Sequence, residues 1–157
     1  MIEELATDKE GKLTFTADLP IGFAYYIKET SPASGFATTD EIQEFTFEYE
    51  GAEKEKVSYA FTFEDEPTVI EITKTSLTDG KELEGAKLQV TDESGKVVDS
   101  WTSGKEAHII KELVVGQKYT LTETKPADGY VTAESITFTV EDTAKPQKIE
   151  MKDDVTK

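Results

Sequence analysis

Apolar and polar residues alternate along this chain with a period of two, in short runs interrupted by turn signals about every ten residues. A strand sends successive side chains to opposite faces, so the pattern suits sheets with one face buried and one face in water. Thr, Val, Ile, Phe and Tyr fill the runs, and helical spacing is scarce. Strands are predicted over 12–18, 24–29, 44–49, 57–64, 68–74, 86–92, 96–101, 108–112, 118–123, 135–141 and 147–152. Asp79-Gly80, Glu93-Ser94-Gly95-Lys96 and Asp128-Gly129 mark turns between them. Residues 39–44 have the composition for a helical turn, but none is predicted there. The fold class that follows is all-β, built as a sandwich.

Charge and composition narrow the function. The 157 residues carry 17 Lys and Arg against 33 Asp and Glu, a net charge of −16. That balance argues against nucleic acid, which needs a basic footprint, and against docking on anionic lipid. No apolar run approaches the roughly 20 residues of a membrane span, and the N-terminus lacks the apolar core of a signal peptide. With no Cys, disulfides, thiol nucleophiles and thiolate metal sites are excluded. A single His leaves neither a multi-His metal centre nor a Ser-His relay easy to build. No metal and no cofactor are expected.

An internal repeat runs through the sequence. The stretch 19–36 lies over 113–130, with Leu, Gly, Tyr, Glu, Thr, Pro, Ala and Gly recurring in register. Glu29 falls on Glu123, Pro32 on Pro126 and Gly35 on Gly129. Two related domains are therefore expected, over 1–67 and 68–157, with a joint near Glu66-Pro67-Thr68. About 50 residues precede the Glu block in the second copy, enough for four strands. Only 28 precede Glu29 in the first. The first domain is thus expected to be incomplete at its N-terminus, and strand exchange with a neighbouring chain through its open edge is one consequence.

Three charges sit in the apolar phase of their strands. Ile70 and Ile72 lead to Lys74, Tyr119 and Leu121 to Glu123, and Ile149 and Met151 to Asp153. Each could be solvated just beyond the core edge, since Lys, Glu and Asp are seldom fully buried. They could form a buried salt bridge, a type of pair that often adds little stability. They could also react: a neutral Lys amine beside a protonated Asp can condense to an amide, with a neighbouring Glu moving protons during loss of water. Burial favours the neutral forms of both reactants, and the fold supplies proximity.

The segments that carry these charges resemble a known family. Ile72-Thr73-Lys74, the turn Asp79-Gly80-Lys81-Glu82-Leu83-Glu84-Gly85-Ala86, the block 119–130, Ile136-Thr137-Phe138-Thr139-Val140 and Ile149-Glu150-Met151-Lys152-Asp153 are similar to the Cna B-type (SpaA-like pilin, prealbumin-like) domains of Gram-positive surface adhesins and pilins. The resemblance implies tandem immunoglobulin-like β-sandwiches. It also implies an autocatalytic isopeptide bond, with Lys74 as amine, Asp153 as acceptor and Glu123 as the catalytic proton shuttle. The strand phase independently favours Asp153 over Asp154. In the first copy Tyr25, Ile27 and Glu29 share a phase, as do Tyr59, Phe61, Phe63 and Asp65. Glu29 and Asp65 are the counterparts there. Lys9 and Lys12 lie too late in the pattern to serve as the amine, so no intramolecular bond is expected in that copy.

The function expected from this reading is mechanical: a stalk or spacer, extracellular and wall-anchored through its parent protein, with neighbouring domains of that protein as partners. Beyond one autocatalytic turnover no enzyme activity is expected. The alternative is an adhesive module that grips a host matrix protein or a glycan, although no concentrated aromatic patch supports it. An accessory domain of a carbohydrate-active enzyme is a weaker option. Trp101 reads as a core or rim residue more than a sugar platform, and His108 as structural. Asp92-Glu93-Ser94-Gly95 lacks the ligand alternation of a Ca²⁺ loop and reads as a hairpin turn. Pro32 and Pro126 each close a strand three residues after the Glu.

Overall fold

In the computed structural model, residues 1–16, 18–48 and 59–157 are described. They form nine strands: β1 Ala24–Lys28, β2 Ile42–Thr46, β3 Val69–Ser76, β4 Lys87–Thr91, β5 Val97–Thr102, β6 His108–Lys111, β7 Lys118–Lys125, β8 Ile136–Thr139 and β9 Gln147–Asp153. The all-β class read from the alternation is what is observed. No helix long and apolar enough to cross a membrane occurs among the described residues.

The chain divides into two compact units, Met1–Ile27 with Ile42–Phe61, and Lys28–Glu41 with Thr62–Lys157. In the first unit β1 pairs with β2. Its packing is aromatic: Phe45 lies 5.6 Å from Tyr25 and 4.9 Å from Phe61, ring centre to ring centre, and Phe47 lies 5.3 Å from Tyr59. Two predicted strands differ. Residues 12–16 and Asp18 form no strand, and neither do residues 59–64. In the second stretch the alternation is real, since Phe61, Phe63 and Asp65 are half-buried between exposed neighbours, whereas residues 12–16 and Asp18 are all exposed. Alternation makes one face apolar but does not supply the hydrogen-bonding neighbour that a strand needs. Val57 and Ser58, the start of the second prediction, and Tyr49, the end of another, lie outside the described residues.

The second unit is a β-sandwich of two sheets, in the orders β6-β3-β9 and β5-β4-β7-β8. β3 runs antiparallel to β6 and parallel to β9. Inward residues of both sheets meet in one core: Ile70, Ile72, Ile110 and Met151 from the first, Leu88, Val90, Tyr119, Leu121 and Phe138 from the second. Removing these side chains from water is the main stabilising term, about 25 cal/mol per Å² of apolar surface. Thr68 enters β3 fully buried and ties in the segment 28–41. Its amide and hydroxyl donate to Gly35 O and Leu113 O at 3.0 and 2.6 Å, and its carbonyl accepts from Glu112 N at 3.1 Å. Gly35 has φ +87°, and a Cβ there would meet Glu112 O at 2.7 Å, so both the backbone and the close approach require glycine.

Candidate functional site

The three charges in the apolar phase meet inside the sandwich. β3 and β9 are parallel neighbours, and Lys74 and Asp153 both point from them into the core end. Glu123 reaches the same spot from β7, in the opposite sheet. Lys74, Glu123 and Asp153 are only 2%, 3% and 1% exposed, which excludes the solvated-edge reading. Lys74 Nζ contacts Asp153 Oδ1 directly and lies 3.2 Å from Glu123 Oε1.

Each carboxyl is only partly satisfied. Glu123 Oε2 accepts the Ala133 amide at 2.8 Å, which fixes the rotamer of the side chain. Glu123 Oε1 makes an ion pair with Lys74 without an aligned hydrogen bond, and Asp153 Oδ2 is buried with no donor. Buried carboxylate oxygens without donors are costly, and a proton on the pair relieves that cost. Burial accordingly pushes the Glu123 carboxyl above its ordinary range. The Ala133 amide and the Lys74 charge pull it down, and the Asp153 charge pushes it up again. A glutamic acid held in this way can donate a proton and take it back.

Glu29 and Asp65 also come together, in the segments 28–41 and 62–157 of the same unit. Both are half-buried. Glu29 Oε2 accepts the Thr39 amide at 3.0 Å, and Asp65 Oδ1 is sealed without a donor. Burial raises the Glu29 carboxyl above its usual value, the Thr39 amide lowers it, and Asp65 raises it further by charge and as a hydrogen-bond partner. Lys12 is exposed and pairs with Glu10 at 3.8 Å. No group of three or more His, Cys, Asp and Glu side chains suited to a metal occurs among the described residues.

The family description "SpaA: Prealbumin-like fold domain" matches residues 1–60 and 68–155. The chain belongs to this SpaA family of prealbumin-like fold domains. None of the curated proteins matches it. Among solved structures, the TIE protein of Bacillus anthracis is 26% identical with a TM-score of 0.59; the alignment covers 87% of this chain and 26% of that one. The chain thus spans about a quarter of that protein's length. The shaft pilin SpaA of Lactobacillus rhamnosus GG is 16% identical with a TM-score of 0.50, over 97% of this chain and 67% of that one. BcpA, the major pilin subunit of Bacillus cereus, is 21% identical with a TM-score of 0.49, over 57% and 31%.

Sequence reasoning missed several parts of this SpaA-family site. The Ala133 amide that anchors Glu123 lies in a loop with no charge or motif to mark it. A β-bulge is also hidden: Leu88 pairs with Glu123 but Lys87 with Lys125, so Thr124 is the extra residue. Bulges re-aim the side chains beside them, and this one directly follows Glu123. Away from the site, Trp101 packs on the core edge and stacks on His108, rings 4.0 Å apart and 10° from parallel. His108 Nε2 lies 2.8 Å from Asp99 Oδ2, a partner not singled out in the sequence. The Asp92 loop is a hairpin turn, its carboxylate accepting the Ser94 and Lys96 amides at 2.9 and 3.0 Å.

Proposed function

We propose that the chain is a structural spacer of a Gram-positive surface pilin or adhesin, stabilised by an isopeptide bond between Lys74 and Asp153. The observation that carries this reading is the burial of the Lys74 ammonium against both carboxyls, on the first and last strands of the sandwich. The reaction balances without a co-reactant. The ammonium proton passes to the carboxyl pair, leaving a neutral amine and a protonated Asp153. The amine attacks the Asp153 carbonyl carbon, Glu123 carries the proton to the departing hydroxyl, and one water leaves as the amide forms. The chain performs this once and turns over no external substrate. Proximity supplies most of the acceleration.

Force on the ends of such a domain loads β3 and β9, and an amide between them carries the load without unzipping the sheet. The match in two stretches, 1–60 and 68–155, supports two copies of the fold, over 1–67 and 68–157. Membership of the SpaA family and the likeness to pilins support an extracellular place on a cell wall, with neighbouring domains or subunits as partners. The decisive experiment is the intact mass of the purified protein with peptide mapping. A mass one water below that of the sequence, with the Lys74 and Asp153 peptides joined, is expected. The unmodified mass would reduce the site to a buried ion pair and favour an adhesive module.

A further inference from the structure

Two ends of the fold are built alike, one around Gly35 and one around Gly129. The turn before each closes with Phe36 N donating to Ala33 O at 3.0 Å and Tyr130 N to Ala127 O at 3.1 Å. Phe36 bridges to Pro67, and Tyr130 to Val155. Ala37 N donates to Glu66 O, and Val131 N to Asp154 O, both at 2.9 Å. Thr68 N donates to Gly35 O at 3.0 Å, and Thr156 N to Gly129 O at 2.9 Å.

The Gly35 end is covered, within the same compact unit, by the turn between β6 and β7. The Thr68 hydroxyl donates to Leu113 O at 2.6 Å, Glu112 N donates to Thr68 O at 3.1 Å, and a Cβ on Gly35 would lie 2.7 Å from Glu112 O. Asp142 accepts from the Thr38 amide at 2.7 Å and from its hydroxyl at 2.8 Å. The Gly129 end carries no such turn among the described residues. Gly129 has φ +86°, against +87° at Gly35, but a Cβ there would meet nothing within 4 Å. Val131 is 51% exposed where its counterpart Ala37 is 7% exposed. Val155 is 42% exposed, and Thr132 and Thr156, at the places of Thr38 and Thr68, are exposed.

The chain carries a second turn of the covering kind. In the repeat, 19–22 lies over 113–116. Gly116 N donates to Val140 O at 2.9 Å, and Gly22 N to Phe47 O at 3.4 Å. The Tyr119 hydroxyl accepts Val114 N at 3.2 Å; the Tyr25 hydroxyl donates to Pro20 O at 2.7 Å, proline having no N–H to offer. Leu113, whose carbonyl takes the Thr68 hydroxyl, corresponds to Leu19. Ile21 in this turn is 56% exposed, and Phe23 just after it 63%.

We infer that a second copy of this chain seats its 19–22 turn on the Gly129 end, as the 113–116 turn seats on the Gly35 end. Leu19 O takes the Thr156 hydroxyl, and Ile21 and Phe23 leave water together with Val131 and Val155. The two surfaces are different patches, so the contact is heterologous: each docked copy still offers one end and one turn, and the array does not close at a dimer. The inference deepens the spacer reading and rests on it for the partner, but it does not need the Lys74–Asp153 amide. One turn on one sheet end is a small contact, and each copy carries a charge of −16, so separate chains associate weakly and salt assists them.

The test is sedimentation of the full 157-residue protein from about 10 μM to about 1 mM, in about 1 M sodium chloride, where the screening length is about 3 Å. The average mass should rise with concentration and fit an open-ended association. Val131→Glu and Ile21→Glu, both at exposed positions, should each stay monomeric. Mixed in equal amounts they should form a one-to-one dimer and nothing larger, since one brings an intact turn and the other an intact end. Amide shifts of the parent should move on dilution at Gly22, Gly129, Val131 and Thr156, which reads the contact without a substitution. A parent that stays monomeric, an association that stops at a dimer, an association that persists in either variant, or dilution shifts that spare these residues would each overturn the inference. Intact mass reads the cross-link separately: the amide without association overturns this inference alone, and association with the unmodified mass overturns the cross-link alone.

Discussion

Lys74 and Asp153 stand on neighbouring parallel strands but two positions out of register: Lys74 lies opposite Met151, and Asp153 opposite Ser76. The long lysine side chain crosses that diagonal, and both residues point into the core because each strand alternates. Lys74→Ala removes the cation and leaves two acids buried. Breaking a buried ion pair from one side costs about 3–5 kcal/mol. If the amide forms, its loss also releases a loop of 79 residues. In the chain-entropy model a closure of that length is worth roughly 4.5 kcal/mol. A fall in Tm of roughly 20 °C or more is expected by calorimetry. An unchanged Tm would count heavily against the cross-link.

Glu123 touches the Lys74 ammonium with one oxygen and the Ala133 amide with the other. Glu123→Gln keeps the side-chain shape and the amide contact but cannot shuttle a proton. The variant should fold, as judged by its near-ultraviolet circular dichroism, and retain the unmodified mass after long incubation. A mass one water lower in this variant would remove Glu123 from the chemistry.

Asp153 and Asp154 are adjacent in sequence but opposite in phase. Asp153 is buried, whereas Asp154 is exposed and its carboxylate accepts the following amide, Val155 N, at 2.9 Å. Asp154→Ala should leave the mass one water below the sequence value, and Asp153→Ala should restore the full mass. The reverse result would mean that β9 enters the site in a register shifted by one residue.

The legible part of this site was its phase. Lys74, Glu123 and Asp153 are visible in the sequence because a period-two pattern tells the reader which face a residue takes, and a charge on the apolar face is conspicuous. What holds the charges was not legible. The Ala133 amide is a backbone group, and the bulge at Thr124 is a one-residue register change that any polar residue can occupy. Residues 59–64 of the strand predicted over 57–64 show the same limit from the other side. Alternation marks a half-buried face, but strand pairing depends on what lies beside it in space. The ends of β2 and β8 differ from prediction for a similar reason, since pairing fixes them more than composition does.

Gly35 lies where the segment 28–41 meets the turn after β6. Gly35→Ala would place a methyl group 2.7 Å from Glu112 O and hold an L-residue at φ +87°. None of the three atoms met, Glu112 O, Cβ and Cα, is the end of a flexible side chain, so backbone must move. A loss on the order of 1–3 kcal/mol is expected in denaturant unfolding. Faster amide exchange at Thr68, whose N–H bonds Gly35 O at 3.0 Å, should accompany it. A variant as stable as the parent would show that this contact is not needed for the segment to dock.

Glu29 gives a pH dependence whose sign follows from its surroundings. Burial is the largest influence on its carboxyl, and the result lies above the usual glutamate value of 4.5. The folded form therefore holds a proton more tightly than the unfolded chain does. The stability this group contributes is fully present below about pH 4.5 and is lost as pH rises through the raised value. Above that point the Glu29 and Asp65 charges face each other at half-buried positions. Glu29→Gln mimics the protonated acid and cannot ionise. Its stability relative to the parent should increase as pH rises above the usual glutamate value of 4.5, and chemical shifts of the Glu29 carboxyl should titrate above that value. A constant difference between the two proteins across that range would show that the Glu29 carboxyl is not raised in the folded protein.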